Sequence, residues 1–484
     1  MIWAILLLPA LSGGVCAILR RHRLRRGLLV TTAIAQAAMV ASCWVWQPAP
    51  TAAGWLALDA TGLLFLSITT ALFLAAAFYA AGYLRSQGDE ELTDYQEGFL
   101  FTNSPQAAFT ACLLIFLAAM SLVAVSRNLG LLWVAVETTT LASAPLIYFH
   151  RHHRSLEATW KYLLICSVGI ALAMLGNFFL AVAGAGQDAH LTMESMIAHA
   201  AALDPTWLKA AFILCLVGYG TKMGLAPMHT WLPDAHSEAP SLVSALLSGA
   251  LLNCALLAIL RMHAITSAAG LGEFSGSLLV LLGLVSMALA AIFIIHQVDF
   301  KRMLAYSSVE NMGIIALGVG AGGAAAVGGM FHAVNHSLIK AMLFLVAGNI
   351  LASYRTKSCP QVQGLLQSNP AGGVLWLAGL LAVAGFPPFG SFMSELAILQ
   401  GLLADHRYFV AAAYLAALGV AFAAMARIIL PMVFGAGTSE TLAVRREPFW
   451  SIAPPAVLCI AALTLGVYMP PWLGALLQRA AGGH

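Results

Sequence analysis

The chain has 484 residues, of which 61% are hydrophobic and only 9% are charged, and its formal net charge is +3. Charged residues make up roughly a quarter of soluble globular proteins, so this chain has too little polar surface to cover a water-soluble globule of its size. The composition excludes a soluble protein. We therefore expect a polytopic membrane protein whose surroundings are the lipid bilayer, with no nucleic-acid partner.

Apolar runs that are long enough to cross a bilayer recur along the whole chain. A spanning helix needs about 20 apolar residues, and such runs are centred near residues 10, 36, 72, 116, 138, 172, 216, 252, 285, 312, 338, 386, 420 and 462. They are too long, and too lacking in strict alternation, for the roughly ten-residue strands of an outer-membrane barrel. Because backbone polar groups in lipid must be satisfied within the segment, the runs predict an all-α protein with about 14 transmembrane helices.

The basic residues predict the orientation of these spans. The first run lacks a basic leader and is followed by arginines, which indicates a retained span with its N-terminus outside. Inside loops then carry more lysines and arginines than outside loops, as the positive-inside rule requires, and we expect the cytoplasmic membrane of a prokaryote. The inside set is Arg20, Arg21, Arg23, Arg25, Arg26, Arg85, Arg151, Arg154, Lys301, Arg302, Arg355, Lys357, Arg445 and Arg446. The outside set is Arg127, Lys209, Arg261, Arg407 and Arg479.

The cysteines and glycines do not form a cofactor motif. The eight cysteines are scattered and show no CxxC or CxxH spacing, so no zinc, iron–sulfur or haem site is predicted. The glycine-rich segment 318–329 lies in an apolar tract without a preceding strand, and we interpret it as a turn between two spans and not as a phosphate-binding loop. We expect no cofactor and no redox centre in this chain.

Two apolar segments are interrupted by glycine and proline in a way that is typical of broken helices. They are GYGTKMGLAPMHTWLP (218–233) and AGFPPFGSFMSEL (384–396), the seventh and twelfth spans. Paired broken spans are the best sequence indication of a transport fold with inverted repeats. We divide the single transmembrane domain into three N-terminal spans, two five-helix repeats and a last span, at residues 1–105, 106–263, 274–435 and 449–475.

Glu137 and Lys222 are the first pair of ionisable residues predicted to lie inside the membrane. Such a residue costs on the order of 2.5–3.5 kcal/mol on insertion scales and by default indicates function. Glu137 lies six or more residues from either end of its span, too deep for a short side chain to reach the headgroups. We expect it to pair with Lys222, so that movement of the carboxylate tunes the proton affinity of the lysine.

The stretch FHAVNHSLIKAMLFL (331–345) carries His332, His336 and Lys340 at intervals of four. On a helix these residues fall within a stripe about 80° wide and about 12 Å long. A metal site is one alternative, but no third ligand lies nearby and lysine is a poor ligand; histidines bonded to neighbouring carbonyls are another. We favour a relay of titratable groups, because histidine gains and loses protons near neutral pH.

Several ionisable residues are second-rank candidates for the same pathway. Glu310 is predicted to lie two turns inside the membrane, whereas Lys161 and Arg427 are as readily interpreted as structural ion pairs or as charges near a helix end that reach the headgroups. The charged residues at 299–302 read as anchors that reach the headgroups. The cluster His229, Asp234, His236 and Glu238 follows the break in the seventh span, where prolines are expected to prevent a regular helix; it reads equally as an inner proton vestibule or as a solvated loop.

Five motifs then carry a family resemblance, in the family's order and within residues 60–435. The stretches LLWVAVETTT, GTKMGLAPMHTWLPDAHSEAPSLVSALL, DFKRMLAYSSVENMG, FHAVNHSLIKAMLFLVAGNI and GFPPFGSFMSEL resemble the antiporter-like membrane subunits shared by respiratory complex I, Mrp-type sodium/proton antiporters and group 4 membrane-bound nickel–iron hydrogenases. Within the family, residues 133–171 are most similar to component F of hydrogenase-4. The resemblance implies fourteen core helices with two inverted repeats, each holding a half-channel, joined by a hydrated axis.

The resemblance also implies roles for individual residues. The essential glutamate of the fifth span falls on Glu137, the broken-helix lysine on Lys222 and the lysine of the eleventh span on Lys340, with His332 and His336 beside it. The ionisable group of the twelfth span is Glu395. In one respect the chain departs from the family. Many relatives carry a lysine or histidine in the eighth span, where this sequence offers only Ser248 and Asn253. Serine and asparagine side chains hold a water chain but store no charge.

The sequence therefore predicts a proton-translocating antiporter-like subunit without catalytic residues of its own. The expected partners are other membrane subunits and a peripheral iron–sulfur and nickel–iron hydrogenase arm, or a complex I-like arm. A sodium/proton exchanger of Mrp type is the alternative, weakened by the few carboxylates within the spans. A purely structural anchor does not explain so many buried charges.

Overall fold

The computed structural model describes residues 1–86, 92–94, 98–186, 190–436 and 447–482 of the chain. Arg445 and Arg446, two arginines of the predicted inside set, lie outside these ranges. The first half of the chain forms the helices α1 (Ile2–Ile18), α2 (His22–Ser42), α3 (Ala60–Ser86), α4 (Gln106–Val125), α5 (Leu129–Ile147), α6 (His153–Ala183), α7 (Met193–Ala198), α8 (Pro205–Met223), α9 (Trp231–Glu238), α10 (Ser241–Leu246) and α11 (Leu252–Thr266). Single-turn π-helical segments, Leu247–Leu251 and Ser267–Leu271, follow α10 and α11.

The second half is also helical. It forms α12 (Gly272–Ile295), α13 (Phe300–Ala321), α14 (Gly323–Tyr354), α15 (Leu365–Ser368), α16 (Pro370–Val383), α17 (Gly390–Ala404), α18 (Tyr408–Phe434), α19 (Phe449–Val467) and α20 (Pro471–Ala480). Short 3₁₀ turns occupy Ala200–Ala202 and Cys359–Gln361. The strands of the described residues, β1 (Leu92–Thr93), β2 (Leu100–Asn103) and β3 (His150–Arg151), form one small antiparallel sheet in that order.

Eight helical runs in the described part of the chain are long and apolar enough to cross a membrane. They are Ala60–Arg85, Gln106–Val125, Leu129–Ile147, His153–Ala183, Ser241–Ile295, Gly323–Tyr354, Tyr408–Phe434 and Phe449–Val467. The run Ser241–Ile295 turns at Gly270, where φ is 77°; the shorter apolar helices are α1, before the first long run, and α16 and α17, between later ones. The all-α, multi-pass membrane architecture expected from the sequence is confirmed, whereas the count of fourteen spans stays a prediction.

Helix ends in this fold are set by local sequence signals. Asp204 caps α8 by accepting hydrogen bonds from the amides of Thr206 and Trp207, and Asp299 caps α13 in the same way through Lys301 and Arg302. A carboxylate at this position satisfies amides that have no partner within the helix. The glycine-rich turn expected at 318–329 is present between α13 and α14, where residues 322–323 have positive φ angles.

Helices α12 and α13 pack closely because glycines on the two helices face each other. At the crossing of α12 and α13, a Cβ on Gly276 would meet the carbonyl oxygen of Gly320, and one on Gly320 would meet that of Gly276. Small residues at such crossings let helix backbones approach, which is how helices associate where lipid supplies no hydrophobic driving force. The close packing fixes α13 against its neighbours, and α13 carries several of the buried polar groups of the second half.

Both predicted breaks are present, but the segment after the first one differs from the expectation. Helix α8 ends at Gly224, which adopts φ 81°, and the freed amide of Ala226 donates to Ser286 Oγ at 2.9 Å. Instead of an irregular segment, residues Trp231–Glu238 then form helix α9. The expectation was wrong because Pro233 lies in the first turn, where a helix amide has no intrahelical acceptor to lose.

Candidate functional site

Glu137 and Lys222 are joined through a hydroxyl group and not by a direct ion pair. Lys222 Nζ is fully buried and donates to Thr140 Oγ1 at 2.5 Å and to Tyr162 Oη at 2.9 Å. Thr140 Oγ1 in turn donates to Glu137 Oε2 at 3.1 Å, and Ser167 Oγ donates to the other carboxylate oxygen at 2.9 Å. Glu137 and Lys222 therefore lie close together as expected, but Thr140 stands between them in place of the direct pairing that the sequence suggested.

The sequence pattern did not indicate Thr140 or Tyr162. Threonine follows Glu137 in a run of three, and only the helical spacing of three residues places Thr140 over the carboxylate. Tyr162 Oη is 2.6 Å from Ser143 Oγ, and its ring lies 4.9 Å from that of Trp231 on α9. These contacts hold the tyrosine hydroxyl against the ammonium group, so the lysine is bound by two neutral oxygens.

The centre of the molecule contains uncharged polar groups on a π-helical turn. Ser248 Oγ is 2.8 Å from Ser308 Oγ, and Ser248 O lies 3.4 Å from His336 Nε2. Asn253 Nδ2 donates to Ser337 Oγ at 2.8 Å, while Asn253 Oδ1 and His336 Nδ1 are buried with no protein partner among the described residues. Buried polar atoms of this kind are sites for bound water, and the place where relatives bring a charge is thus lined by hydroxyl and amide groups.

Lys340 is a fully buried lysine of the second half. Its Nζ donates to Leu304 O at 3.1 Å and makes a short contact with Ser307 Oγ. Glu310, two turns along the same helix α13 as Leu304, is buried and interacts electrostatically with Lys340, and its Oε2 has no hydrogen-bond partner among the described residues. The prediction that Glu310 lies inside the membrane-embedded core agrees with this burial.

The two histidines of α14 have different surroundings. His332 Nδ1 is 2.9 Å from Ser394 Oγ, and His332 Nε2 is 3.0 Å from Asn311 Oδ1, so both ring nitrogens are engaged. His336 keeps one nitrogen without a partner. The metal alternative finds no support in these contacts: a metal needs a free ring nitrogen from each histidine, and among the described residues no three His, Cys, Asp or Glu side chains converge.

Glu395 lies beside the second helix break. It is buried at the start of α17, interacts electrostatically with Glu310, and leaves Oε1 without a partner in the described structure. Gly385, with φ 65°, approaches so closely that a Cβ there would overlap Glu395 Oε2. The break therefore brings the backbone at Gly385 against the carboxylate.

The remaining candidates separate into buried and peripheral groups. His236 is fully buried, stacks on Phe344 at 4.9 Å, and leaves both ring nitrogens without partners in the part described. Its charged neighbours are Lys301 and Lys340, so it lies against the second half and not beside Lys222. Lys161, by contrast, has a side chain that is 45% exposed and pairs with Glu157 and Asp234, which favours its structural interpretation.

Two basic residues lie elsewhere than the sequence suggested. Lys301 is not an anchor that reaches the headgroups: it is 1% exposed and donates to Ser237 O and Ala239 O at 3.0 and 2.5 Å. Arg261, assigned to an outside loop, is buried in α11, where it donates to Ala124 O and lies 3.8 Å from Asp59. Apolar runs give helix positions, but they do not show which helix ends are covered by neighbouring segments.

A polar cavity of about 330 Å³ lies next to Lys301, where the α9–α10 linker meets the end of α14. Glu238, outside the candidate spans, forms ion pairs there with Lys357 at 2.8 Å and Arg154 at 4.0 Å. Burial by itself raises the pKa of a carboxyl group, but Lys357, Lys301 and Arg154 outweigh it and lower the pKa of Glu238 to about 2. Glu238 is therefore ionised in the folded protein and ties three segments together.

Comparison with known proteins shows which proteins this chain resembles. The chain is 40% identical over 361 residues to a hydrogenase-4 component F homolog of Methylacidiphilum infernorum, which covers 73% of this chain and 75% of that protein. It is 29% identical to hydrogenase-4 component B of Escherichia coli over 73% of this chain and 51% of that longer protein, so this chain spans about half of the latter.

Solved structures share the whole fold at low sequence identity. A chain of the archaeal membrane-bound sulfane sulfur reductase superposes with a TM-score of 0.88 at 21% identity, covering 100% of this chain and 97% of that one. A chain of the Mrp complex from Dietzia superposes with a TM-score of 0.86 at 22% identity, covering 99% and 96%. The family model described as NADH:quinone oxidoreductase/Mrp antiporter, TM, matches residues 126–420. The chain belongs to this family of antiporter-like membrane subunits.

Proposed function

We propose that this chain is the proton-translocating subunit of a redox-driven membrane complex of the hydrogenase-4 type. The observation that carries the proposal is the series of buried ionisable groups that runs through both halves, namely Lys222, His336, Lys340, Glu310 and Glu395. Placing these groups in a membrane core is costly, and none of them forms an ion pair within 4.0 Å among the residues that the structure describes. The similarity to hydrogenase-4 components favours this assembly over others.

The proposed partners and orientation follow from the relatives and from the charge pattern. Family members are membrane subunits of larger complexes, so we infer further membrane subunits next to this chain, and a peripheral iron–sulfur and nickel–iron arm that supplies the electrons. The N-terminus lies outside a prokaryotic cytoplasmic membrane in this proposal, which puts the cavity beside Glu238 on the inner side. The two five-helix repeats, residues 106–263 and 274–435, form the two half-channels.

The proposed route has two loading sites that communicate across the centre. Lys222 exchanges a proton through Thr140 with Glu137, whose position controls how firmly the lysine holds its proton. His236 connects the inner cavity with Lys340, since its charged neighbours are Lys301 and Lys340. Water bound at Ser248 and Asn253 links the two halves, and Glu395 releases the proton on the other side.

Proton uptake by inverted membrane vesicles that hold the whole complex tests this proposal. We expect Lys222→Met and Lys340→Met to abolish proton uptake driven by the complex, with electron transfer measured in the same vesicles. The matched control is Lys209→Met, which removes an exposed lysine from the same helix α8 and is expected to leave uptake unchanged. Wild-type uptake by Lys222→Met with intact electron transfer would refute the proposed route.

A sodium/proton antiporter of Mrp type is the second candidate, favoured by the structural similarity to the Mrp complex of Dietzia. It requires a sodium site of several oxygens. Among the described residues no three His, Cys, Asp or Glu side chains converge, so Glu137, Glu310 and Glu395 do not form such a site together. Purification separates the two candidates: iron–sulfur and nickel–iron subunits that copurify support the first, and sodium-dependent proton exchange in their absence supports the second.

A further inference from the structure

Six arginines gather at one end of the bundle, away from the buried pathway. Five lie in RRHRLRR (20–26), which covers the end of the α1–α2 linker and the start of α2, and the sixth is Arg85 at the end of α3. We call this the arginine cluster: Arg20, Arg21, Arg23, Arg25, Arg26 and Arg85. The positive-inside rule accounts for basic residues in such a loop, but it does not require residues from separate segments to be held together.

Gln106, at the start of α4, holds the two parts of the arginine cluster in place. Its buried Nε2 donates to Leu84 O at 3.0 Å, and its Oε1 is 3.1 Å from His22 Nδ1. His22 begins α2 and Leu84 precedes Arg85, so one side chain fixes both helix ends. As a result, the guanidinium group of Arg26 interacts electrostatically with that of Arg85, 59 residues away in the chain.

The positive charge of the arginine cluster is not compensated within the described part of the protein. None of its six members forms an ion pair with a described carboxylate; Arg25 and Arg26 donate instead to the carbonyl oxygens of Leu19 and His22. Arg25 is only 5% exposed, yet its Nε has no hydrogen-bond partner among the described residues. Like charges that are fixed near each other repel, and a buried guanidinium nitrogen without an acceptor is unfavourable. Both features indicate that an anion belongs here.

The surface next to the arginine cluster indicates which anion it is. Ile18, at the end of α1, is 83% exposed, and Leu24, between the arginines of α2, is 54% exposed. The ends of α1 and α3 and the starts of α2 and α4 meet at this level, which is where an apolar bundle passes into the headgroup layer. A guanidinium group binds a phosphate through two parallel hydrogen bonds, and an acyl chain covers exposed aliphatic side chains.

We propose that the arginine cluster binds the headgroup phosphate of an anionic phospholipid, with the acyl chains against Ile18 and Leu24. This site does not depend on the proposed proton route, because it shares no residue with it. The bound lipid neutralises the repulsion between Arg26 and Arg85 and stabilises the packing of α2 against α3. Arginine suits the task better than lysine because its planar group presents paired donors.

Lipid binding to the purified full-length chain tests the proposal. Native mass spectrometry in a zwitterionic detergent gives the affinity for added phosphatidylglycerol. Phosphatidylcholine is the probe that lacks the net negative charge, and glycerol phosphate is the probe that lacks the acyl chains. The test variant is Arg26→Gln/Arg85→Gln, and the charge-matched control is Arg407→Gln/Arg479→Gln, far along the chain. Arg25 stays unchanged because its burial makes a substitution there a test of folding.

The expected result is a loss of affinity for phosphatidylglycerol of about 25-fold in the test variant, from about fivefold for each arginine. The control variant keeps wild-type affinity, and Arg26→Lys/Arg85→Lys keeps most of it. The proposal would be overturned if phosphatidylcholine or glycerol phosphate bound as tightly as phosphatidylglycerol. It would also be overturned if the test variant kept the wild-type affinity for phosphatidylglycerol. Purification of the whole complex carrying Arg26→Gln/Arg85→Gln completes the test: loss of a subunit from that complex, together with wild-type lipid binding by the variant chain, would overturn the proposal and identify an acidic protein as the partner.

Discussion

The most informative single change is Thr140→Val, because it removes one hydroxyl group from between Lys222 and Glu137. Valine has the same branched shape as threonine, so it leaves no cavity in α5. Lys222 loses one of its two side-chain acceptors, and a hydrogen bond to a charged group is worth about 1.5–3 kcal/mol. If the proton passes over this bridge, that energy appears in the barrier and slows transport by about tenfold to a hundredfold.

The assay is the initial rate of proton uptake by inverted vesicles, normalised to electron transfer in the same preparation. Thr140→Ser is the matched control, since it keeps the hydroxyl at Oγ, and we expect it to retain most of the wild-type rate. Tyr162→Phe removes the other acceptor of Lys222 and should slow transport by a similar factor. Wild-type uptake by Thr140→Val would refute the bridge, and equal losses in the valine and serine variants would show that packing, not the hydroxyl, matters.

Three further outcomes follow from the geometry. Gly385→Ala should reduce proton uptake at least tenfold with the complex still assembled, because the new Cβ displaces the Glu395 carboxylate. Normal uptake would show that transport does not require the Glu395 carboxylate in its present position. Glu238, whose pKa is lowered to about 2 from 4.5, contributes stability above pH 4.5 that is lost as the pH falls towards 2. Thermal unfolding of Glu238→Gln should therefore depend less on pH over that range than unfolding of the wild type, and parallel curves would contradict the ion pair with Lys357. Asn253→Leu should slow uptake about tenfold by removing the central amide, without changing electron transfer; an unchanged rate would place the link elsewhere.

The sequence predicted the parts of the fold that depend on local pattern. The long apolar runs predicted membrane helices, and the glycines and prolines at 224–227 and 385–388 predicted the two breaks, because those residues cannot continue a helix in the usual way. The spacing of four predicted that His332, His336 and Lys340 share a face of one helix, and α14 is continuous from Gly323 to Tyr354.

What the sequence could not provide are contacts between distant segments. Thr140 and Tyr162 contact Lys222 across 82 and 60 residues, and no local pattern marks a threonine in a helix as a bridge. The burial of Lys301 likewise depends on the end of α9 and the linker that follows it, which present the carbonyl oxygens of Ser237 and Ala239 to it. Hydropathy assigns residues to spans, but the direction of a side chain depends on the packing of whole helices.

The two halves of the molecule treat their buried lysines in the same way, and this bears on how such a site could release a proton. Lys222 is bound by the hydroxyls of Thr140 and Tyr162, and Lys340 by Ser307 Oγ and a carbonyl oxygen; neither ammonium group contacts a described carboxylate directly. A charge-assisted bond to a carboxylate would hold the proton on the lysine about twice as strongly as a bond to a neutral oxygen does. With neutral acceptors in contact, Glu137 one hydroxyl group away from Lys222, and Glu310 interacting electrostatically with Lys340, each lysine keeps its partners in both protonation states. A small movement of either carboxylate then shifts the balance between those states without breaking an ion pair, which is what a reversible carrier of protons requires.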